Sequence, residues 1–145
     1  ALAAPQAGAE ELPSYTLVQD DASLRIKGKT VYLDGIYLPP TERQCLSVMR
    51  PVRCGGRAVL ALEFRIQGFV HCFVRTVNED GSRTATCYVD RSHFDEGEDL
   101  SAYLISKGWA VALPDAPFEY QALERIAREH GAGVWGFPAD VIRRP

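Results

Sequence analysis

Several absences bound what this chain can be. No run of apolar residues approaches the ~20 needed to cross a bilayer, so no spanning helix is expected. Positive charge is not in excess: 16 Lys and Arg stand against 19 Asp and Glu, a formal net charge of −3. Proteins that grip a phosphate backbone usually show a basic balance, so nucleic acid is not an expected partner. No C-x-x-C occurs, and His71, His93 and His130 form no ligand-spaced group, so neither a metal nor a cofactor is expected. Ser82, Ser92, His71 and His93 lie in no G-x-S-x-G or equivalent context, which removes the obvious hydrolase reading. Internal repeats are absent as well.

What is present suits one domain with a sizeable core: 145 residues, 46% hydrophobic and 24% charged. The opening ALAAPQAGAEELP is small, Ala-rich and bounded by proline. It reads as a flexible leader over residues 1–14, of the kind left when a signal peptide is cut, ahead of a folded domain over residues 15–145. The four cysteines, Cys45, Cys54, Cys72 and Cys87, permit three pairings. Cys72 and Cys87 lie in two β-prone runs around the turn signal NEDGS, and a hairpin folded there sets them opposite each other. That leaves Cys45 and Cys54 to close the short loop RQCLSVMRPVRCGG. Two disulfides place the protein in an oxidising compartment, periplasmic or secreted.

Along the chain, Tyr15 to Val18 and Leu24 to Ile26 are short strand candidates separated by the polar turn QDDAS. IKGKTVYLDGI is a hairpin turning at Lys27 to Lys29, with Val31 and Leu33 on one face. GGRAVLALEFRIQG reads as a helix with Ala58, Leu62 and Ile66 on its apolar stripe. DLSAYLISKG is a second helix, with Asp99 as N-cap and Gly108 just past its end. APFEYQALERIAREHG is a third, with Pro117 in its first turn, an apolar stripe of Phe118, Ala122, Leu123 and Ile126, and a Glu124–Arg128 pair. Trp109 and Trp135 read as packing anchors. Short strands with helices inserted late imply an α+β domain, mainly a small β barrel with about three helices packed on it.

The order of VYLDGIYLPP, QC…CGGRAVLAL, FVHCFV…DGSRTATCYVD, DLSAYLISKGWAVAL and FEYQALERIAREHGAGVW resembles the staphylococcal nuclease-like (thermonuclease) family. The resemblance runs from Tyr15 to the C-terminus. It implies an OB-fold, a five-stranded Greek-key barrel with three helices, and the cysteine pattern of secreted bacterial members agrees with the pairing above. Active members hold Ca²⁺ with two aspartates, position water with a glutamate and grip phosphate with two arginines. Position by position, those groups are missing. Ala22 and Tyr37 stand for the aspartates, Tyr32 and Ser82 for the arginines, Pro40 for the glutamate, and Leu38 for a threonine beside the second aspartate. Ca²⁺ needs carboxylate charge that Ala22 and Tyr37 do not supply. A transition state without cation or arginine loses its main electrostatic support.

The expectation is therefore a pseudo-nuclease without catalytic residues or bound metal. Tyr32, Tyr37, Leu38, Pro39 and Pro40 would form an apolar contact surface at the mouth of the barrel, on a loop. The expected partner is a protein in an envelope or membrane-associated assembly, which this chain would serve as an accessory or structural subunit. Two other readings stand beside it. One is a divergent phosphodiesterase with a site rebuilt from Asp20, Asp21, Asp34 or Arg83; the other is a small-ligand or oligosaccharide receptor stacking on Tyr32 and Tyr37.

Overall fold

The computed structural model describes residues 11–38, 44–46 and 51–136, with backbone alone for 44–46 and 51–55. The main sheet begins inside the stretch read as a leader. Glu11–Ser14 is a strand, β1. It pairs antiparallel with β8 (Val70–Val77), Leu12 facing Cys72. Leu12 is only 6% exposed, so this segment is part of the core and not a flexible tail. Pro13 hides the strand in the sequence, but a strand at the end of a sheet tolerates a residue that lacks an N–H. The strand expected over Tyr15 to Val18 shortens to β2 (Leu17–Val18).

Next come β3 (Leu24–Ile26) and β4 (Lys29–Leu33), the expected hairpin, with Arg25 opposite Thr30 and Ile26 opposite Lys29. Leu24, Ile26, Val31 and Leu33 point inward and are buried, while Arg25 and Tyr32 on the alternate positions are exposed. β8 and β9 (Arg83–Val89) form the long hairpin around NEDGS, with Cys72 directly opposite Cys87 and a register shift between Val74 and Thr76. The two sulfurs are bonded. β4 lies parallel to β9, Tyr32 beside Thr84.

The strand order is β1-β8-β9-β4-β3-β2, with β10 (Glu98–Asp99) added on β9. The two ends of that path, β1 and β2, are separated in the chain by Tyr15 and Thr16 alone. Three peptide units span at most ~11 Å, so the sheet must curl until its far edges approach each other. The architecture is therefore α+β with a curled, barrel-like sheet. Two short ribbons lie apart from it, β5 (Ile36–Tyr37) with β11 (Val111–Ala112), and β6 (Gln44–Leu46) with β7 (Pro51–Arg53). The expected Cys45–Cys54 bridge falls on side chains outside those described.

Among the described residues three α-helices follow; the first two pack on the sheet, and the third packs on the second and on β11. α1 (Cys54–Arg65) buries Ala58 and Leu62 fully, as its periodicity predicts. Burial of a side chain the size of Leu62 contributes roughly 1.5–3 kcal/mol. α2 (Leu100–Ser106) is capped by Asp99, whose carboxylate accepts from the N–H groups of Ser101 and Ala102. It ends at Gly108, at φ +80°. A side chain there would meet the carbonyl oxygen of Ala132 at 2.0 Å, so glycine is needed for close approach as well as for the turn.

α3 (Phe118–Glu129) sits rotated from the predicted orientation. Phe118 and Ile126 are 81% and 50% exposed, while Tyr120, Glu124 and Ala127 are buried. Of the expected stripe, Ala122 and Leu123 are half-buried, and Leu123 packs on the core. The polar members of the inner face bring their own partners. The Tyr120 hydroxyl donates to Asp99, and Glu124 Oε1 accepts from the Ala112 N–H at 2.9 Å. Partners in hand offset the cost of burying these polar groups, so the helix can turn this face inward and leave Phe118 outside. Pro117 is the N-cap and not a first-turn residue. The Glu124–Arg128 pair forms, at 3.5 Å, and Arg128 also lies over the Trp135 ring.

Candidate functional site

β4 and the turn before β9 bring two of the candidate residues to one place. Tyr32 and Ser82 line a shallow cleft of about 250 Å³ with Arg25, Gly28, Lys29, Thr30, Asp80 and Gly81. The cleft is on the outer face of the sheet, since Val31 and Leu33 on either side of Tyr32 point into the core. Tyr32 is 41% exposed and is the one candidate residue open to a partner among those described.

The others go elsewhere. Ala22 is buried, in a turn at φ +65°. Tyr37 is half-buried in β5 opposite Val111, and Leu38 packs against the core, so neither forms the exposed loop expected of them. Backbone pairing with β11 and the packing of Leu38 explain the difference. Pro39 and Pro40 lie outside the described residues.

Ser82 has a specific task. In QDDAS and NEDGS the same five-residue turn is built twice. Asp21 Oδ1 accepts from the Ser23 N–H and hydroxyl at 3.0 and 2.5 Å. Asp80 Oδ1 accepts from the Ser82 N–H and hydroxyl at 2.9 and 2.6 Å. The first residue of each turn, Gln19 or Asn78, donates from its side-chain amide to that serine hydroxyl. The residue before each serine has positive φ, Ala22 in one and Gly81 in the other. The hydrogen bonds from Ser82 hold the Asp80 carboxyl below the usual aspartate range. Asp21 and Asp80, close to Ala22 and Ser82 in the chain, are thus occupied in shaping turns.

Arg83 aims its guanidinium back at the Gly81 carbonyl. The backbone of Asp34 is tied to Ala85 and to the Ser101 hydroxyl. Among the described residues, no three His, Cys, Asp or Glu side chains gather as metal ligands would.

Sequence reasoning passed over the basic wall of this cleft. Arg25, Lys27 and Lys29 fall in the span between Asp21 and Asp34, where no carboxylate occurs. That gap in acidic residues was the available signal. The acidic residues collect instead around a second cleft of about 480 Å³ lined by Glu96, Glu98, Asp99 and Glu119 together with Tyr88 and Tyr103.

Fold and site define a small disulfide-bonded α+β domain with a barrel-like sheet and a shallow, locally basic cleft beside an exposed tyrosine. Against protein-family models and curated proteins, the sequence finds no match.

Proposed function

We propose that this chain is a binding module, nuclease-like in outline and non-catalytic, which acts by contact with a protein partner in the cell envelope. An OB-type barrel is the reading of its fold. Taking β1 and β2 as one bent strand gives five strands, β1/β2, β3, β4, β9 and β8, antiparallel except for β4 with β9.

One observation carries the non-catalytic reading. Of the positions where the resembled family keeps its charged groups, Ala22 is buried, Tyr37 is half-buried and Ser82 is bonded to Asp80 within its turn. Ala22 and Tyr37 supply no carboxylate pair for a divalent ion at those positions, and Tyr32 and Ser82 supply no arginine at the phosphate positions. The Cys72–Cys87 bond supports an oxidising, extracytoplasmic location. No helix among the described residues is long and apolar enough to cross a membrane.

Purified protein is expected to leave DNA and RNA intact with Ca²⁺, Mg²⁺ or Mn²⁺ present. Its thermal midpoint is expected to stay constant in millimolar Ca²⁺, because an ion bound only by the native state must raise it. Hydrolysis, or a dose-dependent rise in the midpoint, would overturn the proposal.

A further inference from the structure

Resting on the non-catalytic reading and going beyond a protein contact, we infer that the cleft between the β3–β4 hairpin and the Asp80–Ser82 turn binds a neutral sugar unit of a glycan chain. Both signs of charge line this cleft, Arg25 and Lys29 on the hairpin side and Asp80 on the turn. Arg25 and Thr30 face each other across the two strands, and alternation puts Tyr32 on the same outer face. Tyr32 supplies the one aromatic ring among polar residues and glycines, and Tyr37 is not part of the lining.

Charge removes most candidate ligands, because a chain of either sign meets one repelling wall. Hydrogen bonds from Ser82 hold the Asp80 carboxyl below the usual aspartate range, so it stays ionised. With Glu79 next to it in the chain, it repels a nucleic-acid strand and an acidic peptide alike. Arg25, exposed on the opposite wall, does the same to a basic peptide. A purely apolar ligand finds a single ring, and no three His, Cys, Asp or Glu side chains gather for a metal among the described residues. A neutral peptide has no edge to pair with here, since β4 is already flanked by β3 and β9.

What suits both walls is an uncharged ligand rich in hydroxyls. A hydroxyl donates to a carboxylate and accepts from a guanidinium, so one sugar unit uses Asp80 and Arg25 at once. Asp80 is set for this: its Oδ1 is fixed by the Ser82 N–H and hydroxyl, which orients the carboxylate and leaves Oδ2 to accept from outside. Thr30 adds a hydroxyl of its own from β4. The apolar C–H face of a pyranose ring lies on the exposed Tyr32 ring. At about 250 Å³ the cleft is below the roughly 300–1,000 Å³ that encloses a whole small molecule, so it takes one unit of a longer chain. A protein partner that also uses Tyr32 competes with the sugar.

The test is an NMR titration of the isotopically labelled full chain with four probes: maltotetraose, tetra-N-acetylchitotetraose, a capped glycine–serine hexapeptide and a capped hexaglutamate. At least one of the two sugars is expected to give saturable amide shifts confined to Arg25–Tyr32 and Asp80–Ser82. Its affinity should hold when salt is raised, because an uncharged ligand owes nothing to screened attraction between charges. Tyr32→Ala should weaken it about tenfold with the rest of the amide spectrum unchanged. Tyr32→Phe should keep it, since the ring and not its hydroxyl carries the contact. No saturable shift with either sugar, shifts centred elsewhere, equal affinity in Tyr32→Ala, or tighter binding of the hexapeptide or hexaglutamate at these residues would overturn the inference. Such a failure leaves the non-catalytic reading standing. That reading falls instead to nuclease activity, which the hydrolysis assay measures separately.

Discussion

The Tyr120 hydroxyl donates to the carboxylate of Asp99, the same group that caps α2, so one acidic side chain ties α3 to the start of α2. Burial pushes the Asp99 carboxyl above the usual aspartate range, and the hydrogen bonds from Tyr120, Ala102 and Ser101 pull against that rise. An acid whose value is raised on folding favours the fold in its protonated form. The benefit is complete below the unfolded value and is lost as pH rises through the folded one. Asp99→Asn keeps the cap through its one carbonyl oxygen, removes the charge, and presents an amide N–H₂ to the Tyr120 hydroxyl, which then accepts instead of donating. It is therefore expected to raise the thermal midpoint at pH 7 relative to the parent and to lose that advantage below about pH 4. Asp99→Ala removes the cap and should cost about 1–2 kcal/mol at neutral pH.

The rotation of α3 makes two neighbouring aromatics behave oppositely. Phe118 is exposed and Tyr120 is buried, so Phe118→Ala should change unfolding free energy by less than about 0.5 kcal/mol. Tyr120→Ala should cost about 3 kcal/mol or more, through lost packing and the stranded Asp99 carboxylate. Urea denaturation of both variants measures the contrast, and equal effects would contradict this orientation of the helix.

Cys72 and Cys87 close a loop with a sequence separation of 15. Restricting the unfolded chain over that length is worth about 3 kcal/mol in the loop-entropy model. The double change to alanine should lower stability by that order, read by denaturant midpoint under non-reducing conditions. Peptide mapping of the oxidised protein should recover Cys45 joined to Cys54. A fragment joining either to Cys72 or Cys87 would refute the pairing.

For partner binding, Tyr32 is the position to change, because its exposure separates contact from folding. Tyr32→Ala should weaken partner binding by more than about 1 kcal/mol if the ring anchors the contact, with the thermal midpoint nearly unchanged. Placing a carboxylate at Ala22 should instead destabilise the protein. That position is buried, and an unpaired carboxylate there costs on the order of 2 kcal/mol or more without creating a Ca²⁺ site. Isothermal calorimetry with a partner recovered from envelope extract and Ca²⁺-dependent thermal scans read the two effects.

Much of the fold was legible because local chemistry and tertiary structure agree. The Asp99 cap, the Gly108 stop, the Ala58–Leu62 stripe and the opposed cysteines all follow from spacing. QDDAS and NEDGS also match residue type for residue type, a likeness that only their shared hydrogen bonds made meaningful. Other features depend on partners far along the chain. The inner face of α3 is set by Asp99 and Ala112, which no helical period reveals. β1 reads as a tail until Val70–Phe73 pairs with it, and β5 and β11 are too short to carry a period. The basic cleft became visible only when β9 brought Asp80–Ser82 against the β3–β4 hairpin, because its two walls are about fifty residues apart in the chain.

The two-residue join between β1 and β2 makes the first strand a detachable piece. If Glu11–Ser14 lifts away, β8 is left with a bare row of backbone donors and acceptors, and nothing else in the sheet path replaces the lost neighbour. A second chain can present its own Glu11–Ser14 to that row and make the same pairs, with Tyr15 and Thr16 as the hinge. Two molecules that trade this strand keep the β1–β8 pairs, so intertwined dimers are a form this fold admits at high concentration.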